Sequence, residues 1–228
     1  MQTTMRLDIV NKETMNVLKR TLPNKDNYFE RVFVKISLLI KDSIKGNAYA
    51  LVSLYQLQDE ILNLSAYFDD EIDKFEGQIE KKKVLDPNKI NFIAKYHYDL
   101  ACNNALSLAL YELMGGFDKL ISTLKLLHLS GSMESRPAFY QLKERYQKKL
   151  NALLSKVIQT PSSKNHSATV SELIENPGQF NASQINLHTL KEALDAPYAP
   201  GFSPQVLSNL KYKLKSQMSK NNEQCMEA

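Results

Sequence analysis

The sequence predicts a mainly α-helical protein that opens on one β-strand, and three observations carry that expectation. Only seven glycines occur among 228 residues, with Leu, Lys, Ala, Glu and Gln abundant, which favours long helices over a turn-rich β fold. Apolar residues recur at three- and four-residue spacing through most of the chain, as expected for helices that each bury one face. The first ten residues, MQTTMRLDIV, break this rhythm: Gln2, Thr4, Arg6 and Asp8 alternate with Thr3, Met5, Leu7 and Ile9, as on the two sides of a strand.

A lone strand leaves a row of backbone groups unpaired. With no other obvious strand in the sequence, the natural partner is the same strand of a second copy. The resulting two-stranded antiparallel ribbon would turn Gln2, Thr4 and Arg6 outward, and ribbons of this kind fit the major groove of DNA. Gln pairs with adenine, Arg with guanine, and Thr offers a hydroxyl and a methyl group. Met5, Leu7 and Ile9 would face the core. The plainer alternative is an N-terminal tail, or a strand covering the edge of a helical bundle. Since the main apolar stripes lie beyond Asp26, removal of residues 1–10 is expected to leave the helical body folded.

Asn11 is placed to cap a helix running to about Leu22, with Glu13 in the first turn where the dipole favours an acid, and Pro23-Asn24 stops it. A second helix starts near Asp26 or Asn27 and carries Phe29, Val32, Phe33, Ile36, Leu39 and Ile40 as far as Gly46-Asn47. The turn and helix start, Asn24, Lys25 and Asn27, form a candidate phosphate clamp, because a helix N-terminus offers free N–H groups and Lys25 adds a cation. A long helix runs from about Ala48 to Lys83. Its acids Asp69, Asp70, Glu71, Asp73 and Glu76 are spread around it without a nearby His or Cys, which points to a solvated face rather than a metal cluster. Lys81-Lys82-Lys83 suits either the helix C-terminus or a phosphate.

From Lys89 to Leu129 the apolar residues cover more than one face, so this segment reads as the central core helix, with Gly115-Gly116 either kinking it or dividing it. Ser135 caps a further helix to about Ile158, whose Lys143, Arg145, Lys148 and Lys149 make a basic surface without an evident purpose. Residues 160–169 are linker-like. Pro177, Pro197, Pro200 and Pro204 break the remainder of the chain into short pieces, ending on a basic helix from about Pro204 to Lys220. The expected domains are therefore 1–46, a DNA-binding unit, 47–159, a helical body, and 160–228, a Pro-interrupted extension.

The net charge is +4, and residues 1–45 hold nine Lys or Arg against five Asp or Glu, so the excess lies there and the rest balances at 20 against 20. A basic opening and a basic tail around a neutral body suit a polyanion. No apolar run is long enough to span a bilayer and no leader-like segment begins the chain, so a cytoplasmic protein without membrane contact is expected. Cys102 and Cys225 suggest neither a disulfide framework nor a zinc site. No GxSxG, HExxH, GxGxxG, P-loop or CxxC motif occurs, and the four histidines lie far apart, so no catalytic residue, metal or cofactor is expected.

Two runs resemble a known family. DNYFERVFVKISLLIKDSIKGNAYALVSLYQLQDEI contains the step Asn47-Ala48-Tyr49-Ala50 before a long helix. FIAKYHYDLACNNALSLALYELMGGFDKLISTLKLLHLSGSMESRPAFYQLKERYQKKLNALL contains the unit Phe117-Asp118-Lys119-Leu120, then His- and Leu-rich sequence and a Gly. Over residues 3–158 this pattern resembles the AcaB-like transcriptional regulators of conjugative plasmids and integrative conjugative elements. The resemblance implies a ribbon-helix-helix-like DNA-binding unit and an activator of transfer genes that binds double-stranded promoter DNA as a homodimer. On that reading Gln2, Thr4, Arg6, Asn24, Lys25 and Asn27 contact DNA, and any contact with RNA polymerase is left open. The alternative is a helical adaptor of a transfer or secretion apparatus, whose strand augments a partner's sheet.

Overall fold

The computed structural model describes residues 3–21, 27–82, 90, 92–102, 104–133, 135–161, 168–176, 185–196 and 202–226. Among these the chain is mainly helical. The elements run β1 (Thr3–Ile9), α1 (Lys12–Leu18), α2 (Tyr28–Ile44), α3 (Ala48–Lys82), β2 (Tyr96–Cys102), α4 (Ala105–Leu129), α5 (Arg136–Gln159), α6 (Val170–Glu175), α7 (Leu187–Asp195) and α8 (Pro204–Met226). No helix among the described residues is long and apolar enough to cross a membrane.

The partner of β1 is the principal departure from the sequence expectation. β1 pairs antiparallel with β2 of the same chain, from Thr3 opposite Cys102 to Ile9 opposite Tyr96. Residues 96–102 therefore form a strand instead of the first turns of a core helix. Tyr96, Tyr98, Leu100 and Cys102 turn inward while His97, Asp99 and Ala101 are exposed. Tyr96 and Leu100 are four apart, so they satisfy helical and strand spacing alike. Pairing with β1 decides between the two. The ribbon is thus complete within one chain and needs no second copy to close it.

The chain forms two compact units, and the division falls inside α2 and α3 rather than at a linker. The first comprises residues 1–33 and 60–158. Its axis is α4, where Leu110, Leu113, Met114, Phe117, Leu120, Ile121 and Leu124 are fully buried. Phe117 packs on Phe68 of α3 with ring centroids 5.8 Å apart, and Phe68 and Phe75 meet Tyr146 of α5 edge-on at 6.4 and 6.3 Å. The Tyr146 hydroxyl donates to Glu71, and burial together with that carboxylate pushes the phenol's pKa far up. Gly115 and Gly116 lie within the continuous helix α4, so they do not divide it. A side chain at Gly115 would touch Leu7 Cδ1 at an ordinary 3.8 Å.

The second unit comprises residues 34–59 and 159–228, so the Pro-interrupted segment packs with the end of α2 and the start of α3. Its core joins Leu51 and Val52 of α3 to Leu173 of α6, Leu190 and Leu194 of α7, and Leu210 and Leu214 of α8. The turn at Gly46 has φ +89°, a conformation that favours glycine, and ends α2 as the sequence predicts. Asn47 then caps α3 by accepting from Ala50 N–H at 2.8 Å.

Candidate nucleic-acid interface

Alternation along β1 leaves Thr4, Arg6 and Asp8 exposed, while Leu7 and Ile9 are buried against the helices. β2 adds Ala101 opposite Thr4, Asp99 opposite Arg6 and His97 opposite Asp8 on the same outer face. Arg6 Nε lies 3.5 Å from Asp8 Oδ1, and His97 Nδ1 lies 2.6 Å from the same oxygen. One arginine thus stands among two aspartates, so the face carries no net positive charge. Both side chains of the Arg6–Asp8 pair are more than half exposed, where such pairs contribute little to stability. Opening the pair to release the guanidinium is correspondingly inexpensive. The Arg6 carbonyl is held by the Tyr111 hydroxyl of α4 at 2.7 Å.

A buried polar network fixes the ribbon to α4. Asp118 accepts from Val10 N–H at 2.9 Å, Asn11 N–H at 3.1 Å and the Thr14 hydroxyl at 2.6 Å. Its carboxylate therefore faces the N-terminal end of α1, where the helix dipole favours negative charge. Asn11 occupies the N-cap position, but its side chain makes no cap hydrogen bond. Its amide instead donates to the Asp118 carbonyl at 2.8 Å and to Ser122 Oγ at 2.7 Å, and Lys125 donates to its Oδ1 at 2.7 Å. Lys125 and Lys143 then both reach Glu13, at 3.0 and 3.2 Å.

Burial by itself would raise the Glu13 carboxyl. Hydrogen bonds from its own backbone amide, Lys125 and Lys143 outweigh that and hold its pKa below the ordinary value. The folded-state pKa is thus lower than that of the unfolded chain. The resulting stabilisation is complete above pH 4.5 and disappears as pH falls through the lower folded-state value. Melting temperatures between neutral and acid pH should show Glu13→Gln less stable than wild type near neutrality, with the two curves converging in acid. A gap that persists unchanged into acid would remove Glu13 from this role.

Of the residues expected to contact DNA, Thr4 and Arg6 stand on the outer ribbon face, whereas Gln2, Asn24 and Lys25 lie outside the described residues. Asn27 is occupied elsewhere. Its Oδ1 accepts from Phe29 and Glu30 N–H at 2.8 and 3.0 Å, and its Nδ2 donates to the Leu18 carbonyl and the Tyr98 hydroxyl. Tyr28 N–H donates to the Arg20 carbonyl. The first amides of α2 are therefore satisfied inside the protein, and the free N–H groups that a phosphate clamp at Asn27 requires are absent there. Asn27 is a cap that straps α1 to α2. His97 and Asp99 on the ribbon were not anticipated from the sequence. The alternation Tyr-His-Tyr-Asp-Leu was the available signal.

No family model matches the chain, and no curated protein matches it. Among solved structures it is similar to AcaB from uropathogenic E. coli, at 16% sequence identity and a TM-score of 0.49, over 95% of this chain and 98% of that one.

Proposed function

We propose that this protein is a DNA-binding transcriptional regulator whose β1–β2 ribbon enters the major groove and reads base edges. The supporting observation is the ribbon's exposed polar face, anchored to α4 through Asp118 so that it is presented in one orientation. Arg6 is suited to guanine O6 and N7, Asp99 accepts from cytosine N4, and Thr4 offers both a hydroxyl and a methyl group. Two copies on a two-fold operator would place one complete ribbon in each half-site. Activation of transfer genes rests on the sequence resemblance alone and belongs to the same proposal.

Mobility shifts with promoter-containing and unrelated duplexes at two salt concentrations test this reading. A regulator loses affinity steeply as salt rises yet keeps a preference for its own site. Arg6→Ala should weaken specific binding by on the order of 1–3 kcal/mol and relax preference at one operator position, with the fold intact. Full wild-type affinity and specificity in that variant would end the ribbon assignment. A second reading, the helical adaptor, is favoured by Val34, Leu38 and Ile44, which are at least half exposed on the outer side of α2. It requires no salt-sensitive DNA binding, so the same shift experiment separates the two.

A further inference from the structure

We infer that the outer face of α5 is the surface that grips the DNA backbone, which deepens the regulator reading and rests on it. The ribbon supplies no net positive charge, yet most of the affinity of a DNA-binding protein comes from neutralising phosphates. Another surface has to provide the cations.

α5 exposes Arg136, Tyr140, Glu144 and Lys148 along one side and Arg145, Lys149 and Lys156 along another, each at the spacing of successive helical turns. Lys148 pairs with Glu144 at 2.7 Å and Lys156 with Glu60. Arg136, Arg145 and Lys149 make no ion pair among the described residues. Aromatic rings hold two of these cations in place. The Arg136 guanidinium lies over the Tyr140 ring at 5.8 Å, and Lys149 Nζ lies over Tyr67 at 4.5 Å. Tyr140 itself is 47% exposed.

This arrangement suits a duplex. From Arg136 to Lys149 the helix rises about 20 Å at 1.5 Å per residue. That length spans roughly six phosphates of one strand, spaced 3.4 Å apart along the DNA axis. Three uncompensated cations on the exposed surface of one rigid helix add positive charge along that length. The cation–π contacts also reduce the side-chain entropy that would be lost on binding.

The test is the triple variant Arg136→Gln, Arg145→Gln, Lys149→Gln in the full chain. A control triple with the same charge change, Lys41→Gln, Lys45→Gln, Lys191→Gln, alters exposed lysines of the other unit. Circular dichroism and melting verify the fold, and anisotropy of labelled operator and scrambled duplexes is monitored across a salt series. The α5 variant should bind both duplexes roughly 100-fold more weakly at low salt, with the ratio between them kept. Its log–log salt slope should fall by roughly 2.7, about 0.9 per lost phosphate contact. The control should change little. An unchanged slope, or an equal loss in the control, would overturn the inference while leaving the ribbon reading standing. If the α5 variant behaves as expected and Arg6→Ala changes nothing, the ribbon reading fails and this one stands. A wild-type protein that binds neither duplex overturns both.

Discussion

Replacing Asp118 by alanine should lower stability by on the order of 3–5 kcal/mol, because several buried donors lose their acceptor at once. Val10 N–H, Asn11 N–H and the Thr14 hydroxyl all point at this carboxylate, and Asn11, Thr14 and Asp118 are each at most 5% exposed. Water cannot replace the lost oxygens without entering the junction between β1, α1 and α4. In a chain of this size the loss corresponds to a fall of about 10–15 °C in melting temperature. Asp118→Asn keeps the shape and one carbonyl oxygen but turns an amide donor toward one of the backbone donors, so it should fall between wild type and alanine. Scanning calorimetry of the three proteins is the measurement. An alanine variant within about 2 °C of wild type would mean that the network contributes little and that the ribbon is held by apolar packing alone. A second readout addresses positioning. Below its melting range, the alanine variant should bind DNA with a reduced preference for its operator, because a ribbon free to tilt presents Arg6 to more than one base.

Removing residues 1–10 should destabilise the first unit severely, against the expectation drawn from the apolar stripes alone. Leu7 and Ile9 are 6% and 0% exposed, so their loss opens a cavity against α4. Each buried aliphatic side chain removed to alanine size costs about 2–5 kcal/mol. β2 also loses its only strand neighbour among the described residues, which exposes the inner faces of Tyr96, Tyr98 and Leu100 and leaves backbone groups unpaired. A total on the order of 5 kcal/mol or more is comparable to the stability of a whole domain. The truncated protein should therefore melt in two steps or expose apolar surface to a hydrophobic dye, with the second unit keeping its own transition. Ile9→Ala is the milder companion and should lower stability by about 2–4 kcal/mol while the chain remains folded. If the truncated protein melts cooperatively near the wild-type temperature, β1 is an appendage after all. In that case the ribbon is not part of the core.

Features that depend on neighbours a few residues apart were legible before folding was considered. Period-two alternation in residues 4–9 was enough to say which side of β1 is exposed, since backbone geometry alone sends successive side chains to opposite faces. Gly46-Asn47 was enough to end α2 and start α3, because a positive φ and a capping amide are local requirements. The basic surface of Lys143, Arg145, Lys148 and Lys149 on α5 was visible for the same reason, although the aromatic ring of Tyr67 under Lys149 was not.

Other features depend on contacts between residues far apart in the chain. Asn11 reads as a cap and Asn27 as a phosphate ligand, but where each amide bonds depends on what the folded chain places beside it. Asn11 meets Asp118, 107 positions away in sequence, and Asn27 meets Tyr98, 71 positions away. Asp118 reads as one of several charges on a mainly apolar helix, and nothing near it in sequence says that it faces the start of α1. Residues 96–102 carry a pattern that a helix and a strand satisfy equally. Their conformation was decided by β1, whose unpaired edge could be satisfied only by a second strand brought to it through the fold.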